Sequence, residues 1–331
     1  MTSAPATWPL RRVDGLPVVM GVVNVTPDSF SDGGQWFEPA AAIEHGRELV
    51  AQGADILDVG GESTRPGAQR PSVAEELRRV VPVVEALAAE RAVVSVDTMR
   101  AEVAAAAVAV GATIVNDVSG GLADPEMAAV VAAAGVPFVA MHWRGHSADM
   151  QSRAVYDDVV AEVVAELAAR ADALVAAGVR ADRIVLDPGF GFAKLTGHNW
   201  SLLRGLDQVL ELDHPVLVGT SRKTFLGRLG VEPGGDPRPP LDRDVATAAT
   251  SMHAARLGAW GVRVHHVPST LDAMRVARAI ESAATSASTS GTISATTSVT
   301  TSPDASSGAS AAGSPGEGRP VTTATRTEGQ Q

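Results

Sequence analysis

A chain of 331 residues that is 45% hydrophobic and 20% charged has a globular composition and room for one barrel of roughly 250 residues with extensions. It contains no cysteine, which excludes disulfides, zinc thiolates, iron–sulfur clusters and thiol nucleophiles together. Its net charge of −11 argues against a nucleic-acid binder, whose phosphate contacts need clustered Lys and Arg. No apolar run approaches the ~20 residues that span a bilayer and residues 1–12 carry no apolar h-region, so a cytoplasmic protein without membrane contact is expected.

Only twelve aromatic residues are present, so Val, Ala, Leu and Ile must fill the core, which suits parallel strands covered on both faces. Along the chain, apolar β-branched runs alternate with Ala-rich stretches of helical period. Strands are predicted near residues 18–23, 56–59, 93–96, 113–115, 138–141, 184–186, 216–218 and 261–264. Helices are predicted near 39–52, 73–89, 101–110, 125–134, 157–177, 200–210, 244–258 and 269–283. Eight of each give an α/β fold of the (β/α)₈ TIM-barrel type. A doubly wound sheet is the alternative, but its first turn should carry G-x-G-x-x-G, and here that turn reads Asn24-Val-Thr-Pro-Asp28. The predicted organisation is an N-terminal extension (1–15), a barrel domain (16–282) and a Ser/Thr/Ala-rich tail (283–331) too poor in large apolar residues to bury a core.

The strands end abruptly in polar clusters. Burying unpaired polar groups is costly, and barrel chemistry sits at strand C-termini, so the clusters predict one ligand mouth. In order they are Asn24; Asp58 with Glu62-Ser-Thr-Arg65; Asp97-Thr98; Asn116-Asp117; His142; Asp187-Pro-Gly-Phe-Gly191; Ser221-Arg-Lys223; and Arg263-Val-His265. Each alone could be a helix cap or an ordinary ion pair. Together, Asp97, Asn116, Asp187 and Lys223 supply acceptors, an amide and a cation suited to the edge of a flat, nitrogen-rich heterocycle such as a pterin or purine. Arg263 and His265 alternate on the last strand, where barrels commonly hold phosphate, and form a candidate anion clamp with a buried Arg–carboxylate pair as the alternative. Ser221 is predicted to open a helix whose free N–H groups could receive an anion. The amide oxygen of Asn24 could serve Mg²⁺, an ion that keeps several waters. No zinc motif is present: His142-x-x-x-His146 and His265-His266 lack H-E-x-x-H. Gly33-Gly34 with Pro27, and Gly60-Gly61 with Pro66, predict mobile loops after strands one and two.

Several of these clusters extend into long motifs: Met20-Gly-Val-Val-Asn24-Val-Thr-Pro-Asp28-Ser-Phe-Ser-Asp32-Gly-Gly34, Asp58-Val-Gly-Gly-Glu-Ser-Thr-Arg-Pro-Gly-Ala68, Ser95-Val-Asp-Thr98, Asp187-Pro-Gly-Phe-Gly-Phe192, Thr220-Ser-Arg-Lys-Thr224 and Val262-Arg-Val-His265. With Asn116-Asp117, and in this order over residues 16 to 280, the sequence resembles the dihydropteroate synthase family. The resemblance implies an enzyme that joins the methylene of a dihydropterin diphosphate to the amine of 4-aminobenzoate and releases diphosphate. By that likeness Asn24 would help hold Mg²⁺ on the diphosphate, and Asp97, Asn116, Asp187 and Lys223 would line the pterin pocket. Thr64, Arg263 and His265 would contact the diphosphate, while Arg65, Pro66 and Ser221 would lie by the aminobenzoate. Asp28, Arg65 and Lys223 are the candidate catalytic residues, with Asp28 and Asp32 stabilising the pterin cation or ordering their loop. A homodimer is implied by resemblance only.

Two departures stand out: His266 occupies a position where the family commonly has Asp, and His142-Trp-Arg-Gly-His146 replaces a plainer loop. Two other functions deserve weight. A pterin-dependent methyltransferase shares the barrel but should lack the Ser-Thr-Arg-Pro-Gly and Ser-Arg-Lys motifs, and both are present. A non-catalytic paralogue would bind pterin without turnover.

Overall fold

The computed structural model describes residues 8–26, 39–63, 70–146 and 150–290, with no account of side chains in 284–290. Eight strands form one parallel sheet: β1 (Val18–Asn24), β2 (Ile56–Gly60), β3 (Val94–Asp97), β4 (Ile114–Asp117), β5 (Phe138–Met141), β6 (Ile184–Asp187), β7 (Leu217–Val218) and β8 (Gly261–Val264). They are ordered β6-β5-β4-β3-β2-β1-β8-β7, and a single parallel bridge, Leu186 to Val216, brings the two ends together. The fold is a (β/α)₈ TIM barrel, as the alternation predicted. The outer layer holds α1 (Pro39–Ala51), α2 (Val73–Ala89), α3 (Ala101–Ala109), α4 (Met127–Ala134), α5 (Val159–Ala176), α6 (Thr196–Arg204), α7 (Leu206–Leu210), α8 (Thr224–Gly227), α9 (Asp244–Leu257) and α10 (Val267–Ser290). No described helix is long and apolar enough to cross a membrane.

Strand parity sorts the side chains. Alternate residues face opposite sides, and Val18, Met20, Ile56, Ile114, Val139, Val185 and Leu217 form a buried cluster inside the ring, closed below by Trp8, Leu10, Val93 and Trp260. Two residues further along the same faces the chain turns polar: Ile56 leads to Asp58, Val93 to Ser95 and Asp97, Ile114 to Asn116, Val185 to Asp187, and Gly261 to Arg263 and His265. The intervening residues, such as Leu57, Val96, Val115, Leu186, Val218 and Val262, pack outward in the main core under the helices. A register slip of one residue would put the polar set under the helices and the aliphatics in the mouth.

Strands β1, β2, β3, β4 and β6 run one or two residues further than their apolar runs predict. Asn24 pairs with Gly60, Gly60 with Asp97, Asp97 with Asn116, and Met141 with Asp187. The backbone ladder is indifferent to side-chain polarity, so pairing carries the polar residues into the mouth on rigid backbone. The predicted helix 200–210 is instead two, starting four residues earlier and broken at Gly205, where an added Cβ would lie 2.9 Å from Val160. Helix α10 continues to Ser290, past the predicted end, because no glycine or proline interrupts the sequence between Pro268 and Gly291. The expected loops around Asp28 and Arg65, and the tail from 291 onward, lie outside the described residues.

Candidate active site

At the centre of the mouth, Arg263 donates through Nε to Asp58 Oδ2 at 2.6 Å and through Nη2 to Asp97 Oδ2 at 2.7 Å. Asn116 Nδ2 donates to the same Asp58 oxygen at 2.9 Å. One fully buried carboxylate therefore ties β2 to β4 and β8, and deleting one member of such a pair costs roughly 3–5 kcal/mol. The forked face of Arg263 is spent on these carboxylates, so the pairing alternative weighed above is what forms, and the residue cannot grip a diphosphate with both edges. Nη1 makes no hydrogen bond to a described residue. Burial pushes the Asp97 carboxyl up and Arg263 pulls it back; a guanidinium at 2.7 Å favours the ionised form.

Asp187 and Lys223 meet through the turn that follows β6. Asp187 Oδ1 accepts the Gly189 N–H at 2.7 Å; burial raises its carboxyl, with Lys223 the strongest opposing charge. Lys223 Nζ donates to Phe190 O and sits 4.6 Å from the Phe192 ring centroid. Burial pulls this ammonium down to about 8, against the pull of Asp187. Two glycines make the turn possible: Gly189 at φ +66°, where a Cβ would lie 2.5 Å from His142 O, and Gly191 at φ +77°, where a Cβ would lie 2.9 Å from Lys223 Cδ.

The segment between β7 and α8 differs from its prediction. The helix begins at Thr224, not Ser221, and has four residues, so Ser221 is a turn residue and offers no helix terminus to an anion. Its Oγ accepts the His265 backbone N–H at 3.1 Å and stands 2.9 Å from His265 Nδ1. Arg222, which sequence alone could not orient, is left-handed at φ +57° and bound through two nitrogens to Asp244, each at 2.7 Å.

Asn116, Asp187, Ser221, Lys223, Arg263 and His265 thus line one cleft, with Val118, Met141, Phe192 and Gly219 as its apolar walls. Asp97 joins it through Arg263. Among the described residues Asp187 Oδ2, Asn116 Oδ1 and the remaining Lys223 donors have no hydrogen-bond partner, and these three residues line the same cleft: a flat molecule carrying both N–H donors and an acceptor can satisfy them together.

The family described as pterin binding enzyme matches residues 20–265. The chain is 56% identical over 262 residues to a dihydropteroate synthase of Mycobacterium leprae, covering 79% of this chain and 92% of that one. This chain belongs to the pterin-binding enzyme family. A Xanthomonas albilineans dihydropteroate synthase solved with 4-aminobenzoic acid matches at a TM-score of 0.74 and 47% identity, over 80% of this chain and 93% of that one. A structure of the Xanthomonas albilineans enzyme in complex with 7,8-dihydropteroate matches at 0.71 and 44%, over 80% and 94%.

Within this pterin-binding barrel the predicted residues fall into three groups. Asp97, Asn116, Asp187, Ser221, Lys223, Arg263 and His265 come together. Asn24 ends β1 on the inward face, half-buried, with no side-chain hydrogen bond to a described residue. Asp28, Thr64, Arg65 and Pro66 lie outside the described residues. Two members of the sequence clusters turn away from the mouth by parity. Asp117 faces outward and accepts from Ser119 N and Oγ, each at 2.7 Å, and from Gly121 N at 2.9 Å; burial lifts its carboxyl to about 6. His142 likewise faces outward, between Glu166 and Lys194. His266, the departure from Asp, accepts from Ser269 Oγ at 2.7 Å through Nδ1 at the start of α10, so an acceptor at a helix start is retained in another form.

Three supporting residues escaped the sequence reading. Asp58 was only a strand-end carboxylate until register placed it beneath Arg263. Lys194 and Asn199 carry no motif; Asn199 Oδ1 accepts the Gly191 N–H at 2.6 Å while its amide nitrogen donates to Lys194 O and Leu195 O. The available signal was position: both closely follow the Asp187–Phe192 motif.

Proposed function

We propose that this pterin-binding enzyme is a dihydropteroate synthase, a transferase that condenses 6-hydroxymethyl-7,8-dihydropterin diphosphate with 4-aminobenzoate to give 7,8-dihydropteroate and diphosphate in folate biosynthesis. The observation carrying this reading is the convergence of Asn116, Asp187 and Lys223 on one slot beside the Asp58–Arg263–Asp97 network. Asp187 and Asn116 take the pterin N–H groups and Lys223 donates to a ring acceptor, while Asp97 orients Arg263. Arg263 through Nη1 and His265, with Thr64, meet the diphosphate. Ser221, Arg65 and Pro66 meet the aminobenzoate, and Ser221 does so as a turn hydroxyl.

In the reaction, the methylene C–O bond breaks and its electron pair leaves on diphosphate, giving a cation spread over the pterin ring. The lone pair of the neutral aryl amine then forms the C–N bond, and the nitrogen sheds one proton to water or diphosphate. No side-chain nucleophile is required, so the chain contributes positioning and electrostatics. Asp97 and Asp187 place negative charge beside the ring, and Asp28 adds another in the same reading. For Mg²⁺ the described residues present no cluster of three His or carboxylate ligands; the open amide of Asn24 fits an ion that takes most of its ligands from diphosphate and water. Bound there, Mg²⁺ would neutralise the leaving group. The same reading assigns a cytoplasmic homodimer, the dimer resting on family resemblance alone.

The test is turnover. Purified protein with dihydropterin diphosphate, Mg²⁺ and labelled 4-aminobenzoate should yield dihydropteroate, and a 4-sulfonamide analogue should compete with the aminobenzoate. Pterin binding without product would support the non-catalytic alternative, and methyl transfer from methyltetrahydrofolate would support the methyltransferase.

A further inference from the structure

Behind the Asp187–Phe192 turn lies a buried ammonium that the chemistry above does not use. Lys194 is 3% exposed; its Nζ donates to Gly189 O at 3.1 Å and Phe192 O at 3.3 Å, and stands 3.0 Å from His142 Nδ1. Among the described residues no carboxylate touches it. A carboxylate reaches it through the His142 ring, whose Nε2 is 2.9 Å from Glu166. A buried cation without a contacting anion is costly, and burial pulls Lys194 down to about 7. An apolar side chain of equal length would avoid that cost, but it would take the side-chain donor from Phe192 O and leave Gly189 O with the Phe192 N–H alone, at 3.1 Å.

Those carbonyls belong to the turn that builds the pocket. Gly189 holds Asp187 Oδ1 through its own N–H, Phe190 O between them accepts from Lys223, and Phe192 supplies the ring beneath the Lys223 ammonium. We propose that Lys194 is a positioning residue for the pterin substrate: by clamping Gly189 O and Phe192 O it fixes the turn that aims the Asp187 carboxylate and seats Lys223. The charge has a second effect, since Lys194 joins Lys223 and Arg263 in favouring ionised Asp187 against its burial. The groups facing Lys194 are His142, Tyr156, Glu166, Arg144, Asp187 and Lys223. His142, pulled down to about 4 by burial, stays neutral, accepting at Nδ1 and donating from Nε2 to Glu166.

This proposal rests on the dihydropteroate synthase reading. Its test compares wild type with Lys194→Met, Lys194→Gln and Lys194→Arg, titrated with dihydropterin diphosphate in Mg²⁺ and assayed against pH. Lys194→Met should weaken dihydropterin diphosphate binding by about tenfold or more, leaving the KM for 4-aminobenzoate within about twofold. Lys194→Gln keeps a donor without the charge; it should move the acid limb of kcat/KM for the pterin substrate to higher pH, because Asp187 loses a cation that keeps it ionised. Lys194→Arg should recover part of both effects. Unchanged pterin affinity in Lys194→Met with an unmoved acid limb in Lys194→Gln overturns the proposal. An equal loss for both substrates that tracks a fall in thermal midpoint also overturns it, since that marks general destabilisation. If Lys194→Met does not fold, the acid limb of Lys194→Gln decides. A wild-type protein that binds no pterin would overturn the functional reading instead.

Discussion

Lys223 combines burial, a motif position and an altered acidity, and it is where a single side chain should matter most. Replacing it with alanine removes the donor aimed at the pterin, and losing one preorganised donor typically costs 10²–10³ in rate, roughly 3–4 kcal/mol. Lys223→Ala should therefore lose about 100-fold or more in kcat/KM for the pterin substrate with an unchanged circular dichroism spectrum; full activity would overturn the pocket assignment. Because burial brings this ammonium down to about 8, its charge is present below that pH and lost above it. For the free enzyme, kcat/KM for dihydropterin diphosphate should fall as pH rises through about 8, and a flat profile from pH 7 to 10 would show that the charge is not used. Lys223 was readable because Ser221-Arg-Lys223 is a family motif. Lys194 and Asp58 were not, because a buried cation and a buried anion become recognisable only when their partners, 52 and 205 residues away in sequence, are known.

At the scale of elements, the turn after β6 shows how backbone geometry transmits to the site. Gly191 at φ +77° packs its α-carbon against the Lys223 stem. Gly191→Ala should destabilise the fold by about 1–2 kcal/mol through its left-handed backbone and raise the KM for the pterin by displacing Lys223. Urea denaturation and steady-state kinetics on the same variant separate the two effects. The turn between β7 and α8 tells a complementary story. Ser-Arg-Lys looked like a helix start, yet the left-handed Arg222, held by Asp244, delays the helix to Thr224. Local sequence preferred a helix there, and a tertiary ion pair decided otherwise. The predicted ends of β1, β2, β3, β4 and β6 stop at the last apolar residue, although parallel pairing continues through Asp97, Asn116 and Asp187.

Across the whole molecule, two outcomes follow from burial. His142 takes up its proton near 6.5 in the unfolded chain but stays neutral down to about 4 in the fold. Between those values the unfolded state holds the extra proton, so this residue makes stability fall as pH drops through that window. Urea denaturation of wild type and His142→Gln from pH 4 to 7 should show about one proton fewer taken up on unfolding in the variant; equal slopes would show that His142 is not the group responsible. Residues 291–331 contain only Ile293, Val299 and Val321 as apolar side chains larger than alanine or proline, too few to contribute a core. Their removal should leave thermal midpoint and turnover unchanged, measured on the truncated chain against the full one. Sequence by itself determined the eight-fold alternation, the strand faces and the order of the polar clusters, because these follow from side-chain period and composition within short windows. Only the tertiary structure decided that Arg263 spends its fork on Asp58 and Asp97, that Asp117 and His142 turn outward, and that Lys194 stands behind the pocket. Those facts depend on strand register and on contacts between distant segments, which no local pattern encodes.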